Sequence, residues 1–293
     1  MPQAQPRRRR ELIVNGITIG VIALGVLVIA GGLAGTLATV TDGKTGVGLI
    51  EIKDVISDAR PVIEQLQHFE KSETVPVILL RLESPGGSVG ASQEIFRQVQ
   101  RTRAAGKKVV ASMGNVAASG AYYIGMAADT IMAAPGTITG SIGVIAEFVQ
   151  ADTLMRKIGV AFTIIQRGEF KSTGTPNRPM APNERAMVEA LIEDAYQQFV
   201  TDVHDSRGLS YEALDSLAQG QVFTGRMAME RGLIDTLGNF DDALELARRI
   251  GGLDDDAPIV RAPTPRKGLF DRILAESALL WHGPSLRVSY RLP

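Results

Sequence analysis

The stretch from residue 75 to residue 88, VPVILLRLESPGGS, decides the fold. Its first part, residues 75–82, is apolar at nearly every position, which is typical of a parallel strand covered on both faces. Its second part, residues 84–88, places two adjacent glycines between that strand and a helix predicted for residues 89–104. Backbone N–H groups in such a turn can bind an anion or stabilise an oxyanion. A plain tight turn is the alternative, and the G-x-x-x-x-G-K-[ST] and G-x-G-x-x-G nucleotide fingerprints are absent here.

Strand and helix patterns alternate on both sides of this stretch. Strands are predicted at residues 48–52, 75–82, 108–113, 130–133 and 163–166. Helices are predicted at residues 56–70, 89–104, 119–127, 182–206, 211–217 and 240–250. Alternation at this spacing predicts an α/β domain of stacked βα units. No repeat of fixed period indicates a solenoid.

A run of small residues follows the strand predicted at 108–113. In residues 113–123, MGNVAASGAYY, Ser119 opens a predicted helix between Ala118 and Gly120, so little shields its hydroxyl. A serine at this place is also an ordinary helix N-cap. The G-x-S-x-G pattern of α/β-hydrolases is absent, because Ala117 stands at the first glycine position. Ser119 is a candidate nucleophile that the residues alone do not establish.

A serine nucleophile needs a base. The chain has three histidines, at 68, 204 and 282, and no cysteine, which excludes disulfides and a cysteine nucleophile and disfavours a His-rich metal site. A neutral lysine is the other common base, since its pKa falls readily in an apolar, water-poor site. Lys171 lies in residues 168–176, GEFKSTGTP, a loop bounded by Gly and Pro. The residues alone do not separate it from the other seven lysines.

The N-terminal region differs sharply in composition from the rest. Four arginines occupy residues 7–10, and residues 12–40 contain no charged residue. A run of this length spans a bilayer, whereas a cleaved signal peptide has an apolar region of about 7–15 residues. We expect a cytoplasmic N-terminus at residues 1–10 and a retained single-pass anchor at residues 11–40. The remainder would then lie on the periplasmic, extracytoplasmic side of the inner membrane.

The rest of the composition is that of a globular domain. Of the 293 residues, 45% are hydrophobic and 22% are charged, and the net charge of -1 argues against nucleic-acid binding through a general positive field. We expect a peptidase-sized domain at residues 41–250 and a Pro- and Asp-rich linker with an amphipathic tail at residues 251–293. The amphipathic part, residues 267–281, would pack on its own domain, on a neighbouring subunit or on the membrane.

Taken together, the motifs resemble the signal peptide peptidase A family (protease IV, peptidase family S49). The resemblance covers about residues 46–250, and its motifs are SPGGS at 84–88, ASGAY at 118–122, GSIG at 140–143, GEFK at 168–171 and PNR at 176–178. Ser119 precedes Ser141 by 22 positions and Lys171 by 52, intervals similar to those of the family. The resemblance implies a fold related to the Clp protease subunit and the crotonases, and no cofactor or metal.

The resemblance also implies a role for each matching residue. Ser119 would attack the scissile carbonyl and form an acyl-enzyme, Lys171 would be its base, and Ser141 would orient Lys171. The oxyanion hole would be formed by backbone N–H groups of Gly86 or Gly87, together with Gly120.

One position departs from the pattern of the family. Glu169 stands where many relatives carry a basic residue. On a strand, Glu169 would point the same way as Lys171 and weaken the dyad, unless Arg167 or Arg178 neutralised it.

The expected partners follow from the resemblance as well. It implies signal peptides or other apolar peptides as substrates, contact with the membrane, and a homo-oligomeric ring or dome, with an octamer as one candidate. Three alternatives stay open: a peptidase dedicated to one membrane protein such as a stomatin-like protein, an acyl-coenzyme A enzyme of the same fold, and a non-catalytic membrane scaffold. The motifs do not decide whether Ser119 and Lys171 pair within one chain or between chains.

Overall fold

The computed structural model describes residues 45–263 and 288–291. In those ranges the strands are β1 (Val47–Lys53), β2 (Val77–Ser84), β3 (Gly86–Ser88), β4 (Lys108–Ala118), β5 (Thr130–Ala133), β6 (Ile138–Gly140), β7 (Ile145–Ala146), β8 (Val222–Thr224), β9 (Thr236–Leu237), β10 (Ile259–Arg261) and β11 (Val288–Arg291). The helices are α1 (Arg60–Lys71), α2 (Val89–Ala104), α3 (Gly120–Gly125), α4 (Asp152–Lys157), α5 (Pro182–Arg207), α6 (Tyr211–Leu217), α7 (Gly225–Glu230) and α8 (Phe240–Ile250).

The main sheet is mixed and is built from consecutive βα units. Its principal order is β10-β1-β2-β4-β5-β9, in which every neighbouring pair is parallel. β6 pairs in parallel with the carboxyl end of β4, and β8 pairs antiparallel with β6. Helices α1, α2 and α3 connect successive parallel strands, as such crossovers require. The predicted α/β architecture is confirmed.

The strand β2 is buried on both faces, as its apolar run predicted. Ile78, Leu80 and Leu82 lie in the larger core cluster with residues of α1, α2 and α3. Val77 and Leu79 lie in a second cluster with residues of α8. Full burial of one such side chain contributes roughly 1.5–3 kcal/mol. This strand therefore fixes the position of the turn that follows it.

Most predicted elements are confirmed, with shifts at their ends. The helix expected from residue 56 begins at Arg60, because Pro61 favours the first helical turn. The strand expected at 108–113 continues to Ala118 and so leads directly to Ser119. The strand predicted at 163–166 is wrong, since these residues are exposed and have no regular structure. Their β-like pattern has no neighbouring strand with which to form a ladder.

The structure describes part of the C-terminal segment, and the predicted N-terminal anchor lies outside the described residues. Within the segment expected to be a linker, β10 pairs in parallel with β1 and forms an edge of the main sheet. Near the C-terminus, β11 lies between β3 and β7 in a separate antiparallel sheet. The predicted anchor at 11–40 and the amphipathic part at 267–281 lie outside the described residues. In the described part of the chain, no helix combines the length and the apolar character needed to cross a membrane.

Candidate active site

Three neighbouring strands end at the same edge of the main sheet. In β2 and β4, Ser84 pairs with Ala117, and in β4 and β6, Ala118 pairs with Gly140. Because these strands are parallel, the segments after their carboxyl ends lie side by side. The structure thus brings together the turn at 84–88, Ser119 and Ser141, which we call the strand-end region.

Ser119 sits in a strained position between β4 and α3. Its backbone has φ 55° and ψ −115°, a combination that residues with a side chain rarely adopt. Its N–H donates to the carbonyl oxygen of Gly140 at 2.8 Å. Its Oγ is buried and has no hydrogen-bond partner among the described residues. An unpaired buried hydroxyl costs about 1–3 kcal/mol, so two unfavourable features meet at one side chain, as is typical of reactive groups.

Ser141 shares this conformation next to Ser119. Its φ is 51°, it is buried, and its N–H donates to the carbonyl oxygen of Gln221 at 2.9 Å. In the described residues, the side-chain-bearing residues with positive φ are Asp54, Ser119 and Ser141. Each of the three directly follows a paired strand, and two of them, Ser119 and Ser141, lie in the strand-end region.

The two candidate N–H groups of the glycine turn point in different directions. The N–H of Gly86 donates to Ser84 Oγ at 3.1 Å. The backbone of Ile56 donates to Gly86 O at 2.9 Å and accepts from Ser88 N at 2.7 Å. Gly87 stands between these two bonds, so its own N–H points away from Ile56. A Cβ at position 87 would lie 2.1 Å from Ile56 O, which explains the glycine.

Helix α3 is fixed beneath the strand-end region by two buried tyrosines. Tyr122 Oη donates to the carbonyl oxygen of Leu233 at 3.0 Å, and Tyr123 Oη donates to a carboxylate oxygen of Asp202. Burial raises the pKa of the Tyr122 phenol, which keeps its donor proton in place. Gly120 opens this helix, so its N–H has no acceptor one turn earlier. These tyrosines hold Gly120, and sequence reasoning did not assign them that role.

The surroundings of Lys171 differ from those of the two buried serines. It is exposed, in a series of turns, and its backbone N–H donates to Gly168 O at 3.3 Å. Within the described ranges, no hydrogen bond joins it to Ser119 or Ser141. The structure therefore brings the two serines together, and in its described part no hydrogen bond joins the predicted base to either of them.

Glu169 was expected to weaken the dyad by lying on the same side of a strand as Lys171. This segment is not a strand, and the carboxylate of Glu169 has another partner. Its carboxylate accepts a hydrogen bond from Asn183 Nδ2 at 2.6 Å. Arg178 does not pair with it. Instead, Arg178 binds Glu184 through both terminal nitrogens, at 2.7 and 2.5 Å.

The pair of Arg178 and Glu184 secures the loop that carries Lys171. Glu184 also accepts from Ala181 N at 2.8 Å and from Thr173 Oγ1 at 3.2 Å. The hydrogen bond from Arg178, followed by that from the backbone of Ala181, lowers the pKa of Glu184 to about 2. The carboxylate is therefore charged in the folded protein across the neutral range, and it ties residues 173–181 to the start of α5.

The segment before Lys171 exposes an unusual amount of apolar surface. We call residues 149–170 the apolar arm. Its exposed apolar side chains are those of Val149, Leu154, Ile158, Val160, Phe162, Ile164, Ile165 and Phe170. Ile165 is 95% exposed. Large apolar patches on a protein surface mark interaction sites. The exposed apolar side chains of the arm therefore favour contact with another surface.

A cavity of about 410 Å³ lies between β7, the loop that carries Lys171 and α5. Its lining includes the apolar side chains of Phe148, Met180, Val188 and Ile192. In the described ranges, no group of three or more His, Asp or Glu side chains is placed to hold a metal ion. The strand-end region therefore offers a hydroxyl and backbone donors, a set suited to acyl transfer on a peptide.

Known proteins share the segments that build this site. A model of peptidase family S49 matches residues 101–253, and a Clp protease model matches residues 49–138. A protein of Synechocystis sp. that is provisionally named a protease is 40% identical over 218 residues, 74% of this chain and 78% of the relative. Protease 4 of Salmonella typhi is 39% identical over 189 residues, 64% of this chain and 30% of that protein. The chloroplastic serine protease SPPA of Arabidopsis thaliana is 37% identical over 192 residues, 65% and 28% of the two chains.

Proposed function

This chain belongs to peptidase family S49 and is a serine peptidase, and from that premise we propose that it is a membrane-anchored endopeptidase that degrades cleaved signal peptides. The observation that carries the catalytic part is the Oγ of Ser119, which is buried where three strands end and which no described residue hydrogen-bonds. A hydroxyl held there attacks a carbonyl and forms an acyl-enzyme.

The developing oxyanion would be stabilised by two backbone donors. One is the N–H of Gly87, the glycine of the turn whose N–H points away from Ile56. The other is the N–H of Gly120, directly after Ser119. Donors of this kind act on charge that develops in the transition state, and losing one costs about a hundred- to a thousand-fold in rate.

We propose that Lys171 of a neighbouring copy acts as the base, with Ser141 orienting it. Two features support a contribution between chains: the exposure of Lys171 and the apolar arm directly before it. A lysine becomes a general base only where burial lowers its pKa. Docking of the arm on a second copy would supply that burial next to Ser119.

The proposed substrates are apolar peptides at the membrane. The anchor expected at residues 11–40 would hold the domain beside signal peptides left in the bilayer, on the extracytoplasmic side. The apolar side chains in the lining of the cavity between β7 and α5 would contact such peptides.

The first experiment tests the activity and the substrate class together. Full-length wild type, Ser119→Ala and Lys171→Ala would be incubated in detergent with synthetic signal peptides and with folded proteins, and products identified by mass spectrometry. Cleavage of the apolar peptides by the wild type alone is expected. Cleavage by all three proteins would refute the dyad, and cleavage by none would favour a dedicated membrane-protein substrate.

A mixing experiment tests the pairing between chains. Equal amounts of Ser119→Ala and Lys171→Ala protein would be dissociated, mixed and reassembled. If each site takes its serine and its lysine from different copies, about a quarter of the sites carry both intact residues. No recovered activity from an assembled mixture would place the dyad within one chain.

A further inference from the structure

A cavity of about 890 Å³ lies among the helices α1, α2 and α5. It shares no lining residue with the strand-end region, nor with the smaller cavity beside the loop that carries Lys171. Five glutamines and charged side chains of both signs make up most of its lining. A lining of this composition favours a ligand that offers both hydrogen bonds and opposite charges.

Helices α2 and α5 form two sides of this cavity and run in the same direction. Gln93 Nε2 of α2 donates to Gln198 Oε1 of α5 at 2.8 Å. One turn later on both helices, Arg97 Nη2 lies 3.7 Å from a carboxylate oxygen of Asp202. The two contacts keep the same order along both helices. The helices are therefore parallel where they meet, and the cavity follows α2 as far as Arg101.

Two side chains of opposite charge stand at different positions along the cavity. Glu94 and Arg101 both belong to α2 and line the cavity. They are seven positions apart, so they share one face of the helix at an axial distance of about 10 Å. Among the described residues, neither forms an ion pair or a side-chain hydrogen bond. By contrast, the carboxylate of Asp202 already accepts from Tyr123 Oη and pairs with Arg97.

Glutamine side chains in the same lining can pair with peptide groups. Gln67 of α1 makes no side-chain hydrogen bond within the described ranges, so its amide offers a carbonyl oxygen and two N–H donors. Gln93 and Gln197 donate through Nε2, to Gln198 at 2.8 Å and to Glu193 at 2.7 Å. Their own carbonyl oxygens accept no hydrogen bond from the described part of the chain. An amide side chain complements a peptide unit, since each carries an acceptor beside a donor.

We propose that this cavity binds a short peptide with free termini, its ammonium group facing Glu94 and its carboxylate facing Arg101. An extended chain of three residues reaches about 10 Å, which matches the axial distance between the two charges. Arginine binds a carboxylate through two parallel N–H donors, which suits a chain terminus. A dicarboxylate would meet Glu94 and a diamine would meet Arg101, so a zwitterionic ligand fits best. Peptides of this class are the products that the proposed endopeptidase releases, but their binding here requires no catalysis.

Calorimetric titration with trialanine tests the proposal. The protein is the full chain in detergent with Ser119→Ala, so that no bond is cut and catalysis plays no part. A Kd of about a millimolar or lower is expected for a ligand of this size. N-acetyl-trialanine and trialanine amide each lack one terminal charge. Each should bind about 2- to 10-fold more weakly, as the loss of one ion pair at a partly exposed site implies.

Two variants assign the ends of the ligand. Glu94→Gln should bind trialanine and its N-acetyl form equally, while it still prefers a free carboxylate. Arg101→Gln should bind trialanine and its amide equally, while it still prefers a free ammonium group. Both side chains are exposed, so neither change should affect folding. The matched controls are Glu245→Gln in α8 and Arg226→Gln in α7, exposed charges outside the cavity that should leave both preferences intact.

Three results would overturn the proposal. One is the absence of binding in the millimolar range, and another is equal binding of free and capped peptides. The third is an unchanged preference for both free termini in the Glu94 and Arg101 variants, which would place the peptide elsewhere, for example at the strand-end region. Because Ser119 is replaced throughout, none of these results depends on whether the chain cleaves signal peptides.

Discussion

The strand-end region and the apolar arm differ in almost every physical property. In the strand-end region, Ser119 and Ser141 are buried, and paired strands hold the backbone on both sides of each serine. In the arm, Ile165 is almost fully exposed, and residues 161–166 have no regular structure. The proposed nucleophile is therefore held by paired strands of its own chain, whereas the segment before the proposed base is mostly exposed in the described part of the chain.

The difference shows what kind of support each half of the chemistry needs. A backbone in a rare conformation costs about 1–3 kcal/mol and persists only where its surroundings fix it. Ser119 has that support from β4, β6 and α3. The arm has no comparable framework, yet an exposed apolar segment is suited to adapt to another surface. Paired strands support the proposed nucleophile, and exposed apolar side chains characterise the segment that we propose docks on a second copy.

The largest expected effect concerns the hydroxyl at the centre of the strand-end region. Ser119→Ala should lower kcat by about 10⁴- to 10⁶-fold, as removal of a catalytic nucleophile does. The free energy of unfolding should be unchanged or slightly higher, because the lost hydroxyl has no hydrogen-bond partner. Peptide hydrolysis and urea unfolding measure the two effects.

The matched control is another buried serine of β4. Ser112 Oγ accepts a hydrogen bond from Arg81 Nη1 at 2.9 Å. Ser112→Ala should cost about 0.5–1.5 kcal/mol of stability and leave kcat nearly intact. The comparison fails if Ser119→Ala is the more destabilising of the two.

The next effect concerns the glycine turn. In Gly87→Ala, the new Cβ would lie 2.1 Å from Ile56 O. The turn must then move, so we expect a loss of about 1–3 kcal/mol in stability from overpacking and about a hundred-fold or more in kcat. Gly90→Ala is the control, since a Cβ there meets no atom within 4 Å. That change in α2 should be neutral or stabilising. Equal losses of stability and kcat in the two variants would refute the role of Gly87 as an oxyanion donor.

A smaller loss is expected from changes to the apolar arm. Phe162→Ser with Ile165→Ser removes two exposed apolar side chains, so the isolated fold should keep its stability. If the arm docks on a second copy, the variant should dissociate and lose about ten-fold or more in kcat/KM. Sedimentation and peptide hydrolysis measure the two changes. Met229→Ser, a partly exposed apolar residue of α7, should alter neither; an assembled, active arm variant would refute docking through the arm.

The sequence predicted the strand-end region well because its determinants are local. The apolar run of β2 identifies a buried strand, and the small residues around Ser119 require a close backbone approach. Both patterns act within a few residues of the position they describe. The α/β fold and the positions of most helices followed from the same short-range periodicity.

The rest depended on contacts between distant residues. Residues 163–166 have the composition of a strand, but composition does not supply a neighbouring strand. Likewise, the capture of Gly86 N–H by Ser84 Oγ and the pairing of β11 with β3 are consequences of three-dimensional placement. Propensity indicates what a segment favours, and tertiary structure decides which partner it obtains.

The smallest predicted effect concerns Glu184, which holds the loop between the apolar arm and α5. Glu184 binds Arg178 and the backbone of Ala181, and its pKa is lowered to about 2 from the ordinary value of 4.5. A carboxyl whose folded pKa is depressed contributes stability above its unfolded pKa, and that contribution is lost as the pH falls through the folded value. Glu184→Gln should therefore cost about 1–3 kcal/mol at pH 7, and the cost should shrink between pH 4.5 and pH 2.

The control for this pH dependence lies one turn further along α5. Glu189 pairs with Arg185 at 2.7 Å, but both side chains are largely exposed. Exposed pairs contribute about 0–1 kcal/mol, so Glu189→Gln should change urea unfolding little at any pH. Because Glu184 ties down the loop that carries Lys171, its replacement should also lower peptidase activity at pH 7. Equal unfolding curves for the two variants at pH 7 would mean that contacts other than those of Glu184 hold the loop that carries Lys171.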